Sequence, residues 1–143
     1  MGKISVVYWS QSGNTLAMAE AIGKGITDGG AQAEVVNVSS CQVSDLDTEE
    51  VFALGCPAMG AEVLEESEME PFVAELEGNV KGKKIALFGS YGWGDGQWMR
   101  DWEERMISAG ATVVNGEGLI CQEAPDGDVI SECESLGKQL AGM

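Results

Sequence analysis

The sequence predicts an α/β fold, a three-layer sandwich whose five-stranded parallel sheet has the order 2-1-3-4-5 with helices on both faces. Three observations lead there. The strand-like runs are apolar at successive positions, so both of their faces need cover, and helices must supply it. Segments of helical period alternate with those runs along the whole chain. Right-handed crossovers then leave few ways to wind such an alternation. No linker, repeat or low-complexity stretch interrupts it, so residues 1–143 are expected to form a single domain.

Ile4–Trp9 is β-branched and aromatic and reads as the first, buried strand. From Asn14 to Asp28 the apolar residues Leu16, Ala19, Ile22 and Ile26 recur at helical spacing, and Gly29-Gly30 stops the helix. Ala33–Val38 is the second strand. Gln42–Glu49 is a polar connector with room for one helical turn. Val51–Cys56 is the third strand, ended by Pro57. Met69–Glu77 is a short helix burying Phe72, Val73 and Leu76. Lys84–Gly89 is the fourth strand. Gln97–Ala109 is a helix with a stripe of Trp98, Trp102 and Met106, closed by Gly110. Thr112–Val114 and Leu119–Cys121 form an interrupted fifth strand. Asp126–Leu140 is the last helix, with Val129, Ile130, Cys133, Leu136 and Leu140 on one face.

Composition narrows the function. With 8 Lys+Arg against 24 Asp+Glu, the net charge is −16. So acidic a chain repels phosphate backbones and anionic bilayers, which argues against nucleic-acid and membrane partners. No apolar run spans a bilayer. Met1-Gly2-Lys3-Ile4 leads straight into a strand-like run without a signal-peptide pattern, so the expected location is cytoplasmic. The chain has no histidine, the commonest transition-metal ligand and general base. Cys41, Cys56, Cys121 and Cys133 form no C-x-x-C pair, and neither Arg100 nor Arg105 stands six residues after a cysteine. Zinc, iron–sulfur, thioredoxin and cysteine-phosphatase chemistry are thereby excluded, and four buried free thiols are expected. Any redox chemistry must sit on a borrowed organic cofactor.

In the predicted strand order the crevice lies beyond the carboxyl ends of strands one and three. Three unusual loops open there. Ser10-Gln11-Ser12-Gly13-Asn14-Thr15 leads into a helix N-terminus and offers hydroxyls, amides and a flexible glycine, with no Lys or Arg. It lacks the P-loop pattern but suits one phosphate monoester held by neutral donors. Cys56-Pro57-Ala58-Met59-Gly60-Ala61-Glu62 lets backbone lie flat against a ligand beside a polarizable methionine. Gly89-Ser90-Tyr91-Gly92-Trp93-Gly94-Asp95-Gly96 alternates glycines with aromatics, an arrangement explained by a planar ligand against Trp93. Each loop alone is compatible with an ordinary turn. Together they describe a site for a flat ring with a monophosphate tail, such as FMN.

Three motifs carry a family resemblance: Tyr8–Thr15, Leu54–Gly60 and Leu87–Gly94. With their spacing, the whole chain resembles the flavodoxins, of the short-chain type found in anaerobic bacteria. The resemblance implies a flavodoxin-like fold, noncovalent FMN and low-potential one-electron transfer between semiquinone and hydroquinone. It implies a carrier rather than an enzyme. It implies that Ser10, Gln11, Ser12, Gly13, Asn14 and Thr15 hold the phosphate and that Met59 and Trp93 flank the ring. Pro57, Ala58, Gly60 and Ala61 would form the loop beside it, Glu62 would face the pyrimidine N3, and Ser90, Tyr91, Gly92 and Gly94 would line it. Gln122 would reach the pyrimidine side. Ser12 stands where the family commonly has threonine, which keeps the hydroxyl.

The resemblance also implies that the Met59–Gly60 backbone would face the flavin N5, and Gly60 would tolerate the rotation that lets a carbonyl there accept its proton. Glu62, Glu65, Glu66, Glu68 and Glu70 are expected to form an acidic surface that depresses the potential and steers the chain. The expected partners are redox enzymes with basic docking patches, such as ferredoxin/flavodoxin-type oxidoreductases, met by a monomer. An FMN-dependent reductase with its own NAD(P)H site is a rival reading with little cationic support. A receiver-type phosphoacceptor fails because Ser10 and Cys56 occupy its acidic positions.

Overall fold

Alternation of side chains along each strand decides where the core lies. The computed structural model describes residues 2–143, and its sheet has the order β2-β1-β3-β4-β5. The elements are β1 (Lys3–Tyr8), α1 (Asn14–Asp28), β2 (Gln32–Asn37), β3 (Val51–Gly55), α2 (Met69–Leu76), β4 (Lys84–Tyr91), α3 (Gln97–Ser108), β5 (Thr112–Val113), β6 (Leu119–Gln122) and α4 (Gly127–Ala141). All pairings within the sheet are parallel. On one face Val7, Phe52, Leu54, Ile85 and Leu87 pack with Phe72, Trp98, Trp102 and Met106. On the other Val6, Ala53, Ala86 and Phe88 pack with Met18, Ile22, Ile26, Cys133 and Leu140. The two-residue period thus feeds two cores on opposite sides of one sheet.

The fifth strand is interrupted, as the sequence suggests. β5 and β6 both pair with β4, separated by a turn in which Asn115 and Gly116 take left-handed backbone at φ 66° and 77°. β4 runs past the expected stop at Gly89, because Ser90 and Tyr91 find ladder partners in Cys121 and Gln122. Ser90 and Tyr91 are therefore strand residues rather than loop residues. β2 ends one residue early because the Asn37 side chain accepts the Ser39 N–H at 2.9 Å and starts a 3₁₀ turn at Val38. A second 3₁₀ turn, Val43–Leu46, fills the polar connector. α1 and α4 approach closely enough that a Cβ on Gly25 would stand 2.0 Å from the Glu134 carbonyl oxygen. Among the described residues no helix is long and apolar enough to cross a membrane.

Candidate functional site

The carboxyl ends of β1, β3, β4 and β6 meet at one rim. There a groove of about 230 Å³ is walled by Ser10, Gln11, Ser12, Asn14, Thr15, Pro57, Ala58, Met59, Gly60, Ser90, Tyr91, Gly92, Trp93 and Glu123. Three of its wall segments were legible as motifs; the fourth, Glu123, was not. A larger hollow of about 470 Å³ lies between α4 and the broken edge strand and shares none of the groove's wall residues.

The first segment turns sharply into α1. Gly13 sits at the N-cap with φ 94° and has no side chain with which to cap the helix. The first turn also holds no acidic residue. Ser10 Oγ accepts the Gly13 and Leu16 N–H groups at 3.1 and 3.3 Å and so shapes the turn. With no capping side chain at Gly13 and no acidic residue in the first turn, the N-terminus keeps its positive dipole end for an external anion. Thr15 is buried, and its hydroxyl meets Ser90 Oγ at 3.1 Å, tying this segment to β4.

The second segment is a tight reversal. Met59 and Val63 exchange two backbone hydrogen bonds of 2.9 Å each, closed by left-handed Gly60 (φ 51°) and Glu62 (φ 57°). Two bonds fasten its base to the fourth strand and α3: the Ala58 N–H donates to Ser90 O at 3.0 Å, and Trp98 Nε1–H donates to Cys56 O at 3.0 Å. The third segment closes over it. Trp93 is 63% exposed, yet its indole N–H reaches Gly60 O at 3.3 Å, linking the two loops across the groove.

Gly13, Ala61, Glu62 and Gly94 stand outside the groove wall itself. Gly13 supplies the turn. Glu62 Oε1 accepts the Gln97 N–H at 3.1 Å, so this carboxylate caps the otherwise uncapped α3. Gly94 beside it is left-handed at φ 84°, a backbone that favours glycine, and a Cβ there would displace the Glu62 carboxylate. Gln122 is exposed and not part of the wall. The next residue, Glu123, is, because its N–H donates to Tyr91 O at 2.7 Å and its backbone is left-handed at φ 60°. Nothing in the periodicity marks that bend; a left-handed glutamate is a tertiary outcome.

The acidic run is less of a free surface than expected. Glu65 is buried and accepts the backbone N–H groups of Ser67, Glu68 and Met69 at 2.8, 2.7 and 3.0 Å, and the Ser67 hydroxyl. Burial pushes its pKa up, but those donors outweigh it and hold the carboxyl below its ordinary 4.5. Glu70 is paired with Arg105, whose hydrogen bond also lowers its pKa. Glu68 accepts Trp9 Nε1–H at 3.3 Å. The cause is the entry to α2, whose N-terminal donors draw Glu65 inward.

Burial pushes the Cys56 and Cys133 thiols up to about 12 each, so almost no thiolate is present at neutral pH. Among the described residues no cluster of three or more Cys, Asp or Glu could hold a metal ion. The residues of the groove wall carry hydroxyls, amides and aromatic surface, with no Lys or Arg and one acidic residue. The Cβ directions of Gly60 and Gly92 point into open space. Such a wall suits a flat, largely neutral ligand whose one anionic end rests on α1.

A family model described as Flavodoxin matches residues 6–136. The chain is 51% identical over 140 residues to a flavodoxin of Clostridium beijerinckii, covering 98% of this chain and all of that one. It is 46% identical to a flavodoxin of Megasphaera elsdenii, covering 96% and 98% of the two. The solution structure of two-electron reduced Megasphaera elsdenii flavodoxin superposes with a TM-score of 0.88 at 45% identity, covering both chains fully.

Proposed function

Since the chain belongs to the flavodoxin family, we propose that residues 1–143 act as one FMN-binding domain and a monomeric, low-potential carrier of single electrons. It is an electron-transfer protein and not an enzyme. When bound, FMN supplies reversible one-electron chemistry at its isoalloxazine ring. The observation that carries the reading is the convergence, at one groove, of a helix N-terminus capped by glycine with an indole-bridged pair of loops.

The residues then divide the work. Ser10, Gln11, Ser12, Asn14 and Thr15 hold the phosphate with neutral donors and the α1 dipole, while Gly13 makes the turn that points them inward. Met59 and Trp93 provide flat, polarizable surface for the ring. Pro57, Ala58, Gly60 and Ala61 form the loop beside it, and Ser90, Tyr91, Gly92 and Gly94 the opposite wall. Glu62 fixes that loop to α3. The absence of any cation from the wall disfavours added negative charge on the ligand, which lowers its potential. Each carboxylate at ~10 Å adds about 0.4 kcal/mol in water and more at lower dielectric. The same charge steers the protein, in the cytoplasm, to redox enzymes bearing basic patches.

Absorption spectroscopy during stepwise anaerobic reduction tests the reading. The expected result is a yellow protein with one flavin per chain that takes up its two electrons in separate steps. A colourless chain that leaves the fluorescence of added FMN unquenched would refute it. NADPH consumption by the isolated protein would replace the carrier by a reductase.

A further inference from the structure

We infer that Glu123 contacts the cofactor directly, its carboxylate accepting a hydrogen bond from a neutral O–H or N–H donor of the bound flavin; this rests on the FMN reading above. Glu123 is the one acidic residue in the groove wall. Its backbone is fully engaged, the N–H donating to Tyr91 O at 2.7 Å and the carbonyl accepting the Cys121 thiol at 3.4 Å. Its side chain does nothing for the fold: among the described residues no donor meets the carboxylate.

The residue is also held at φ 60°, a conformation that suits glycine or asparagine. Two other residues besides glycine share that strain. Asn115 is of the tolerated type and exchanges hydrogen bonds with the Gln139 amide. Glu62 uses its carboxylate to cap α3. Glu123 alone is strained without a fold-level use, and it borders the ligand groove. Strain kept at a cavity wall, where glycine would be easier, fits a side chain retained for the ligand.

The donor class follows from charge. An ionised carboxylate only accepts hydrogen bonds and repels a phosphate. Glu123 is tied to Tyr91, beside Gly92 and Trp93, whereas the phosphate cup lies at α1. The carboxylate therefore meets the neutral part of the flavin, either a ribityl hydroxyl or a ring N–H.

The test titrates the full-length apoprotein with FMN, riboflavin and lumiflavin by fluorescence, for wild type, Glu123→Gly and Glu123→Gln. The thermal midpoint of each is read without flavin. Glu123→Gly should weaken FMN and riboflavin binding by roughly tenfold or more, as for a lost hydrogen bond to a charged acceptor. It should at the same time raise the flavin-free midpoint by relieving the backbone. Glu123→Gln should keep part of the affinity. Weakened lumiflavin binding identifies a ring donor; unchanged lumiflavin binding identifies the ribityl chain. Wild-type binding with both variants as tight as wild type, or tighter, overturns the inference alone. So does a lost affinity that tracks a lowered midpoint in both. Wild-type failure to bind FMN overturns the parent reading and this one with it.

Discussion

The two helical layers cover the same sheet by different means. α1 and α4 meet through missing side chains: a Cβ on Gly25 would stand 2.0 Å from Glu134 O, and one on Gly137 would stand 2.1 Å from Ile22 O. α2 and α3 meet the sheet through large ones, with Trp98 and Trp102 each 1% exposed beside Phe72 and Met106. Arg105 then clamps Glu70 and Glu77 across the α2–α3 side. Of the two layers, the aromatic one is wired to the groove loop, through Trp98 to Cys56 O and through Glu62 to the start of α3. The glycine layer reaches the site through the N-terminus of α1 and through Cys121, whose thiol lies between Met18 and the Glu123 carbonyl. The difference teaches that one layer chiefly determines whether the sheet is covered, while the other also determines how the loop beside the ring is held.

The largest effect should come from the glycine seam. Gly25→Ala or Gly137→Ala puts a methyl against backbone that cannot yield, and should cost roughly 1–3 kcal/mol or more. That loss outweighs the usual helical gain of about 1 kcal/mol for alanine over glycine. Urea unfolding should show a lowered midpoint, while the folded fraction binds flavin as wild type does. A flavin affinity that falls in step would erase the contrast between the layers.

Trp98→Phe comes next. It removes the donor to Cys56 O and leaves a buried carbonyl unpaired, a cost of about 1–3 kcal/mol. Flavin affinity should also drop several-fold, which calorimetric titration reads. Stability loss without affinity loss would deny the wiring to the groove.

Glu65→Gln should cost about 1 kcal/mol as a weakened helix start. The sign of its pH effect is fixed by the lowered folded pKa. The contribution of Glu65 is complete above its ordinary 4.5 and is lost as pH falls through the lower folded value. Wild-type stability should thus decline with acidification below about pH 4.5, and the variant should decline less. Parallel curves from denaturant midpoints measured across that range would contradict the assignment.

The smallest effect concerns the thiols. Maleimide at pH 7 should label half-buried Cys41 slowly, its pKa being raised to about 11 by burial first and then by nearby carboxylates. Cys56 should label faster once flavin is removed, because the groove loop covers it, whereas Cys133 under the glycine seam should not respond. Equal response of Cys56 and Cys133 by mass spectrometry would mean that both layers loosen together.

Much of this molecule is decided locally. Runs such as Ile4–Val7 and the helical spacing of Leu16, Ala19, Ile22 and Ile26 state their own structure, because side-chain period and backbone preference are properties of short segments. The three loop motifs were legible for the same reason: glycine, serine and aromatic residues in unusual density announce special backbone. The extension of β4 through Tyr91, the inward turn of Glu65 and the left-handed bend at Glu123 were not legible. The first and the last depend on partners far along the chain, β6 and Tyr91 O, whereas Glu65 turns toward donors only two to four residues ahead, a local bend that no side-chain period marks. A hydrogen bond between distant residues leaves no periodic trace in either, so local sequence specified the elements and the shape of three walls, and tertiary contact alone added the fourth.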